Sequence, residues 1–521
     1  MAAADNAEVG PAPCGPAPCG PAGVADVLDA AGEGTPPPSD RELADLPRND
    51  YGNGQRFLAR QEDRFLCVTE LQRDTKDGWL VWRGMHWSGE AAWPEAQRAA
   101  HSTAQAIRGE ADALDADASI QEEMPSKEWD ERVKRHRAFA TSSGNAARVS
   151  AMLGSAAPYL GVRRSALDAD PDLLALPNGT LDLSQSPAVL RPASRADRLT
   201  RVAAAPFEEG ADCPRFRALA ARVLPDPAVR NFVQRYLGYC LTGHVGEQLL
   251  CLWYGHGANG KSTILNILRG VMGDHHVGLD FSSLAADPGK RGSDATPDLL
   301  RLPGVRLASA AEPEQGTVLS ESLIKQQTGG EPVNVRPLFG NPFEFRPTHK
   351  LILSFNNYPR IKSQDHGTWR RLALVHFGVT IPKDEQDPLL ERHIIETEAS
   401  GVLNWLLDGL YLWREHGLAV PEAVRDATAD YKADSDPLAR FLDDCTRPPE
   451  RGEPDTVRAG RLYEVYSRWC GTNGEDPVSK FRFGKLMRER PGVREARLAK
   501  GVRAYRGLVL AEDLLDEWAG R

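Results

Sequence analysis

The sequence predicts an α/β protein built on a phosphate-binding loop. A helical and mixed N-terminal domain precedes this core, and a small C-terminal domain comes after it. Three observations carry that prediction. A short apolar run, Leu249 to Tyr254, leads directly into GHGANGKS. Ile264, Leu265, Ile267 and Leu268 then succeed it at helical spacing. Two further apolar runs, Val305 to Ala311 and Leu351 to Phe355, each end on polar residues suited to a strand tip. Strand, glycine loop and helix in that order match G-x-x-x-x-G-K-[ST] in its required context.

The bulk composition sets the frame. The chain has 521 residues, 41% hydrophobic and 26% charged, with a formal net charge of −10. That suits a globular protein of several domains with room for a sizeable core. The net charge excludes a uniformly basic coat for nucleic acid but not a locally basic surface. Eight cysteines are scattered along the chain, with no paired CxxC units. A disulfide framework and a structural zinc site are therefore not expected, and the thiols read as reduced. Cys14 and Cys19 fall in a tandem GPAPC repeat that reads as compositional duplication. No apolar run approaches the roughly 20 residues of a membrane span, so no membrane partner is expected. The expected address is the cytoplasm.

Taken in order, residues 1 to about 46 are rich in Ala, Gly, Pro and Asp and read as a disordered tail. Residues 47–200 are expected to form the N-terminal mixed α/β domain. In it GWLVWRGMHW predicts a strand ending at Gly84, with Trp79, Trp82 and Trp87 building a small core rather than stacking bases. Helices are expected over 94–153. The Lys127 to Phe139 stretch carries Arg132, Lys134, Arg135 and Arg137, which read as a solvated face. Asn178-Gly179 predicts a tight turn between two short strands. A helical collar is expected over 201–245 and the ATPase core over 246–430. DSDP at 434–437 marks a break, and a C-terminal domain is expected over 431–521.

The loop names its own chemistry. Gly255, Gly257 and Gly260 let backbone close on phosphate oxygens, while Asn259 and Thr263 line the same turn. Helix N-terminal amides offer partial positive charge to an anion. Lys261 places a cation on the β and γ phosphates, and Ser262 ligates Mg²⁺. ATP and Mg²⁺ are thus the expected cofactors. Glu312, at the end of the Val305 to Ala311 strand, would polarise the attacking water or hold the Mg²⁺ shell, and Glu314 could share that task. Asn356 and Asn357 end the next strand, where an amide can position water against the γ-phosphate. Arg370 and Arg371 precede another apolar strand, and an arginine there can stabilise spreading charge as a finger.

In this order, GHGANGKST, AAEPE, KLILSFNNYP and WRR resemble the superfamily 3 helicases. More closely, they resemble the helicase portion of phage and plasmid primase–helicases, related to the poxvirus type. ESLIKQQTGGEPVNVRPLFGNPFEFRP resembles the family's additional motif, with Lys325, Thr328, Gly329, Gly330 and Arg336 in place. NGTLDL and GNGQRF resemble upstream signatures, and RLYEVYSRWC with KFRFGKLMRE resembles the winged-helix end. The resemblance spans roughly residues 46 to 515. It implies an AAA+-like superfamily 3 core and a small winged-helix domain. It implies a homo-hexameric ring with ATP between subunits, Arg370 or Arg371 reaching in from the neighbour. It further implies translocation 3′ to 5′ along single-stranded and forked DNA, with Lys325 and Arg336 near a DNA-reaching hairpin. A separate primase or polymerase is an expected partner. LDAD occurs twice, at 114–117 and 167–170, and both copies read as surface turns or helix ends rather than a primase metal site.

The C-terminal domain has its own electrostatics. Between Asp455 and Leu510 stand 13 Lys and Arg against 6 Asp and Glu. Such a basic domain binds phosphate with a salt-dependent affinity. Phe481, Phe483, Leu486 and Met487 are expected to face its core, with Lys480, Arg482, Lys485 and Arg488 outside toward DNA. Two other classes stay open. A packaging or partition motor would need duplex DNA as its stimulus and leaves TGGEPVNVR unexplained. A non-catalytic DNA-binding protein would not need the intact Lys261 and Ser262.

Overall fold

The computed structural model describes residues 38–71, 76, 78–117, 125–286, 298–311, 317–338, 341–361, 365–450, 452–453 and 455–511. The chain divides into two compact units, Met1–Ala169 with Ala193–Thr200, and Asp170–Pro192 with Arg201–Arg521.

The first unit sets a small sheet against helices. Its elements are α1 (Asp50–Gln61), β1 (Phe65–Val68), β2 (Trp79–Trp82), β3 (Trp87–Ser88), α2 (Ala92–Asp115), α3 (Ser126–Ser143), α4 (Ala146–Ala156) and β4 (Gly161–Val162). The strand order is β3-β2-β1-β4. Trp79 and Val81 alternate into a core with Phe57, Phe65 and Met152, while Leu80 and Trp87 pack on the other face. The tryptophans thus build core, and Gly84 turns the chain with φ +90°.

GNGQRF lies inside α1, and close packing explains it. A Cβ on Gly52 would sit 1.8 Å from the Pro47 carbonyl oxygen, and one on Gly54 2.7 Å from Ser155 Cβ. Arg56 is fully buried and pairs with Glu110 at 2.8 Å. It also donates to the carbonyls of Leu43, Leu46 and Pro47. These bonds correct the expected tail. Residues 38–46 are ordered, with a capping box between Ser39 and Glu42 and a buried Leu43. A buried guanidinium must find acceptors, and this segment supplies them. The rest of the tail, with Cys14 and Cys19, lies outside the described residues. On α3, Arg132 pairs with Asp45, and Arg137 with Asp112 and Asp115. Both LDAD copies have structural roles: Asp117 holds Arg41, and the Asp168 carboxylate accepts from the Thr200 amide.

The second unit opens with a meander of β5 (Leu173–Leu176), β6 (Gly179–Asp182) and β7 (Val189–Arg191), turning at Asn178-Gly179. The sequence pattern places this hairpin in the preceding domain. Its apolar face decides otherwise, because Leu174, Leu176, Leu181 and Leu183 join the core of the second unit. Helices α5 (Pro214–Val223) and α6 (Pro227–Tyr239) share that core, so the expected collar is continuous with the sheet domain beyond it.

At the centre lie β8 (Leu250–Tyr254), α7 (Lys261–Met272), β9 (His276–Leu279), β10 (Leu307–Ala311), α8 (Glu321–Thr328), β11 (Val333–Val335), β12 (Phe343–Phe345), β13 (Lys350–Phe355), α9 (His366–Trp369), β14 (Leu372–His376), α10 (Leu390–His416) and α11 (Glu422–Asp434). Five strands form one parallel sheet, ordered β14-β8-β13-β10-β9. Both faces are covered, which is why these strands read as continuous apolar runs. Cys251 and Trp253 point to the side of α6, α7 and α10, while Leu250 and Leu252 join the opposite core with Ile324, Val333 and Phe345.

Helices α6 and α10 touch backbone to backbone. A Cβ on Gly238 would lie 2.1 Å from the Leu410 amide nitrogen, and one on Gly409 2.2 Å from the Gln234 carbonyl oxygen. Gly238→Ala should therefore force the helices apart and cost about 3 kcal/mol or more. Urea unfolding measures this; an unchanged midpoint would contradict the crossing.

After the Asp436 cap come α12 (Pro437–Cys445), β15 (Thr446–Arg447), β16 (Thr456–Arg458), α13 (Ala459–Thr472), α14 (Lys480–Arg488), β17 (Arg494–Arg497), β18 (Arg503–Arg506) and β19 (Val509–Leu510). Leu438, Phe441, Tyr466, Trp469, Phe483, Met487 and Tyr505 make a local core. Phe481 is not among them. It is 84% exposed, which corrects the expected core set. Phe483 and Met487 are one helical turn apart, and Phe481 falls on the other side of the helix.

Candidate nucleotide-binding site

The carboxyl end of β8 lies at the topological switch of the sheet, between β14 and β13, where open parallel sheets bind ligands. There the chain turns through residues 255–260 into α7. The turn is tight. A Cβ on Gly255 would meet the Phe377 carbonyl oxygen and the Asn259 amide nitrogen, each at 2.4 Å. Gly257 and Gly260 hold φ of +83° and +78°, and Ala258 is forced to +47°. A left-handed alanine costs on the order of 1 kcal/mol or more, and such strain concentrates at functional loops. The Ala258 carbonyl accepts from the Ile381 amide at 2.7 Å, which ties the loop to the chain beyond β14.

Gly260 caps α7 with no side-chain hydrogen bond to its first-turn amides. Those donors face the loop as an anion site would require. Lys261 is 3% exposed. Its Nζ donates to the Gly255 carbonyl at 2.6 Å, to Asn259 Oδ1 at 3.1 Å and to Asn356 Oδ1 at 3.2 Å. A buried ammonium is costly unless it is bonded, and these three oxygens bond it. Ser262 is exposed in the first turn and Thr263 half-buried behind it. The set fits Mg²⁺-bound nucleotide: a cradle with no room for a side chain at Gly255 or Gly260, uncapped helix amides, one placed cation and an exposed hydroxyl. Beside it opens a cleft of about 500 Å³, lined by Leu219, Arg222, Gly260, Thr263, Ile381 and Leu390 among others. Arg222 pairs with Glu385 on its rim.

The register brings the strand tips level. Phe355 of β13 pairs with Tyr254 of β8, so Asn356 emerges beside the loop. The chain leaves β10 at Ala311, in register with Ser354. Glu312 and Glu314 lie outside the described residues.

Arg370 and Arg371 stand elsewhere. Leu372 pairs with Leu250, so both arginines sit at the amino end of the sheet, one strand length from the loop. Five residues of strand rise about 17 Å. Gln248 Oε1 accepts from Arg370 at 2.9 Å and from Arg371 at 3.3 Å. Gln248 takes a left-handed φ of +52° just ahead of β8. No sequence motif points to it. Burial and the neighbouring Arg370 both lower the pKa of Arg371 from its ordinary value.

A column of rings flanks the loop. Tyr254 stacks on Tyr358 at 4.1 Å and on His376 at 5.4 Å, and Tyr358 stacks on Tyr431 at 4.7 Å. It pins α11 to the strand tips. Nothing in the sequence pattern marks this column beyond the presence of the rings near their motifs.

The residues assigned to DNA are distributed over two places. Lys325 on α8 pairs with Asp365 at 2.9 Å. Arg336 is exposed just after β11, on the β11–β12 hairpin, whose tip also carries Leu338, 71% exposed. Lys480, Arg482 and Lys485 are exposed on α14. Among the described residues, no helix is long and apolar enough to cross a membrane.

Known proteins share parts of this chain. Residues 54–225 match a family described as D5 N terminal like. A protein of Acanthamoeba polyphaga mimivirus, provisionally named a helicase, is 28% identical over 277 residues, covering 50% of this chain and 29% of that protein. One from Frog virus 3, also provisionally named a helicase, is 27% identical over 293 residues, covering 52% and 29%. A provisionally named primase of African swine fever virus is 24% identical over 330 residues, covering 59% and 34%. The matched stretch thus spans about a third of these relatives. The C-terminal region of NrS-1 matches with a TM-score of 0.39 at 13% identity, covering 58% of this chain and 77% of that one. The chain is related to a primase–helicase family, over its helicase portion.

Proposed function

We propose that the chain is an ATP-dependent DNA helicase of the phage and plasmid replication type. It works as a ring of identical subunits, a hexamer by family resemblance, with ATP at the interfaces. The observation that carries this reading is the bonded set of Lys261, Asn259 and Asn356 at the strand tips. It joins the phosphate-binding loop to the asparagine strand in one site.

In this reading the loop amides and Lys261 bind the β and γ phosphates, exchanging the lysine's loop and asparagine acceptors for phosphate oxygens. Ser262 and Glu312 would hold Mg²⁺, which neutralises charge developing on the transferred phosphoryl group. Asn356 orients water, with Glu312 or Glu314 accepting its proton. The cleft beside Gly260 and Thr263 takes the nucleoside. Arg370 and Arg371, a strand length away, serve the neighbouring subunit's nucleotide. Basic residues of the β16–α13–α14–β17–β18 module, read as a winged helix, hold DNA phosphates through Lys480, Arg482 and Lys485. Lys325 and Arg336 would serve the hairpin in the ring channel.

Strand displacement on a labelled fork, with ATP and Mg²⁺, tests the reading. Unwinding is expected, and it should require both cofactors. ATP turnover stimulated by duplex DNA alone, without displacement, would favour a packaging or partition motor. The relative named as a primase keeps a bifunctional primase–helicase as a second reading. Primer synthesis from nucleoside triphosphates on a bare template would establish it.

A further inference from the structure

Phe481 is the most exposed large apolar side chain among the described residues. A single exposed apolar group needs no explanation in general. This one has a specific setting. Helix α14 is capped by Ser479 and anchored by Phe483, which packs on Tyr466 at 4.9 Å and on Tyr463 at 5.4 Å. Phe481, Lys485 and Arg488 are spaced i, i+4 and i+7, so they form one stripe turned away from that anchor. Lys480 and Arg482 flank the ring, and both are exposed. Among the described residues, no carboxylate lies within ion-pair distance of Arg482 or Lys485, while Arg488 stands 4.0 Å from Glu495. The exposed Arg494, Arg497 and Arg503 of the β17–β18 hairpin extend the positive surface, and Leu498 and Val502 are exposed at its tip.

We propose that Phe481 stacks on an unpaired base where duplex meets single strand, while Lys480, Arg482, Lys485 and Arg488 hold the flanking phosphates. The proposal rests on the reading of this module as a DNA-binding one. The charge selects a polyanion, and the ring selects a π face. Phenyl carries no hydrogen-bonding group, so the contact is indifferent to sequence and suits a protein that passes along any strand. A fork offers such a base, whereas a closed duplex keeps its faces stacked.

The experiment uses the full chain, with a forked DNA carrying 2-aminopurine at the first unpaired position and a blunt duplex of equal length. Phe481→Ala should weaken fork binding about tenfold, within the usual range for one aromatic–base stack. It should also abolish the 2-aminopurine response on binding, and leave blunt-duplex affinity and the salt slope at their original values. Phe481→Tyr should restore fork binding. Lys485→Ala should weaken both DNAs and reduce the salt slope by about one. Unchanged fork binding and 2-aminopurine response in Phe481→Ala, with Lys485→Ala still weakened, would overturn the stacking proposal, keep the DNA reading and leave the ring to a protein partner. Unchanged affinity and salt slope in both variants would overturn the DNA reading of this helix. Thermal unfolding checks that each variant is folded.

Discussion

Lys261→Ala is expected to reduce ATP turnover by at least about a hundredfold, the usual scale for removing one preorganised charge-stabilising group. The side chain bonds both the loop carbonyl of Gly255 and the amide oxygen of Asn356. Its loss would remove the charge proposed to hold the phosphates and unlink the loop from β13. Three acceptors then lose their donor, so thermal unfolding must be recorded alongside turnover. A folded variant that hydrolyses ATP at the original rate would show that the site lies elsewhere. The same variant should fail to displace a strand from a fork.

Arg371→Ala is expected to keep nucleotide binding and lose hydrolysis by about 10³-fold or more, the range for arginine fingers. The register places Arg370 and Arg371 about 17 Å from their own loop, farther than an arginine side chain reaches. As fingers they would therefore serve a nucleotide held by another subunit of the proposed ring. Mixing Arg371→Ala with Lys261→Ala subunits should therefore recover turnover, since some interfaces then pair an intact loop with an intact arginine. Absence of recovery in a mixed assembly that forms normally would sink the finger. Gln248, which accepts from both guanidiniums, would position them, and Arg370→Ala separates the two candidates.

Much of the candidate site was legible because it is local. The loop, the strand before it and the helix after it lie within one stretch of about two dozen residues, and each has its own pattern. Asn356 was legible as a polar residue ending an apolar strand. Its bond to Lys261 was not, because it depends on β13 lying next to β8. Gln248 carried no pattern at all; its role comes from a left-handed backbone and two arginines remote in sequence. Residue type points Phe481 to the core, whereas the helical spacing of Phe483 and Met487 puts it on the opposite, exposed side.

Local pattern alone was enough for the α/β class, the glycine loop between strand and helix, and the apolar strands β8, β10, β13 and β14, because periodicity and glycine placement act over short range. Tertiary structure decided the rest. It put 170–192 with the second unit, since a meander's apolar face joins the larger core. It ordered residues 38–46, since buried Arg56 needs their carbonyls. It set the two arginines at the far end of the sheet from Lys261, because parallel pairing fixes which strand ends share an edge.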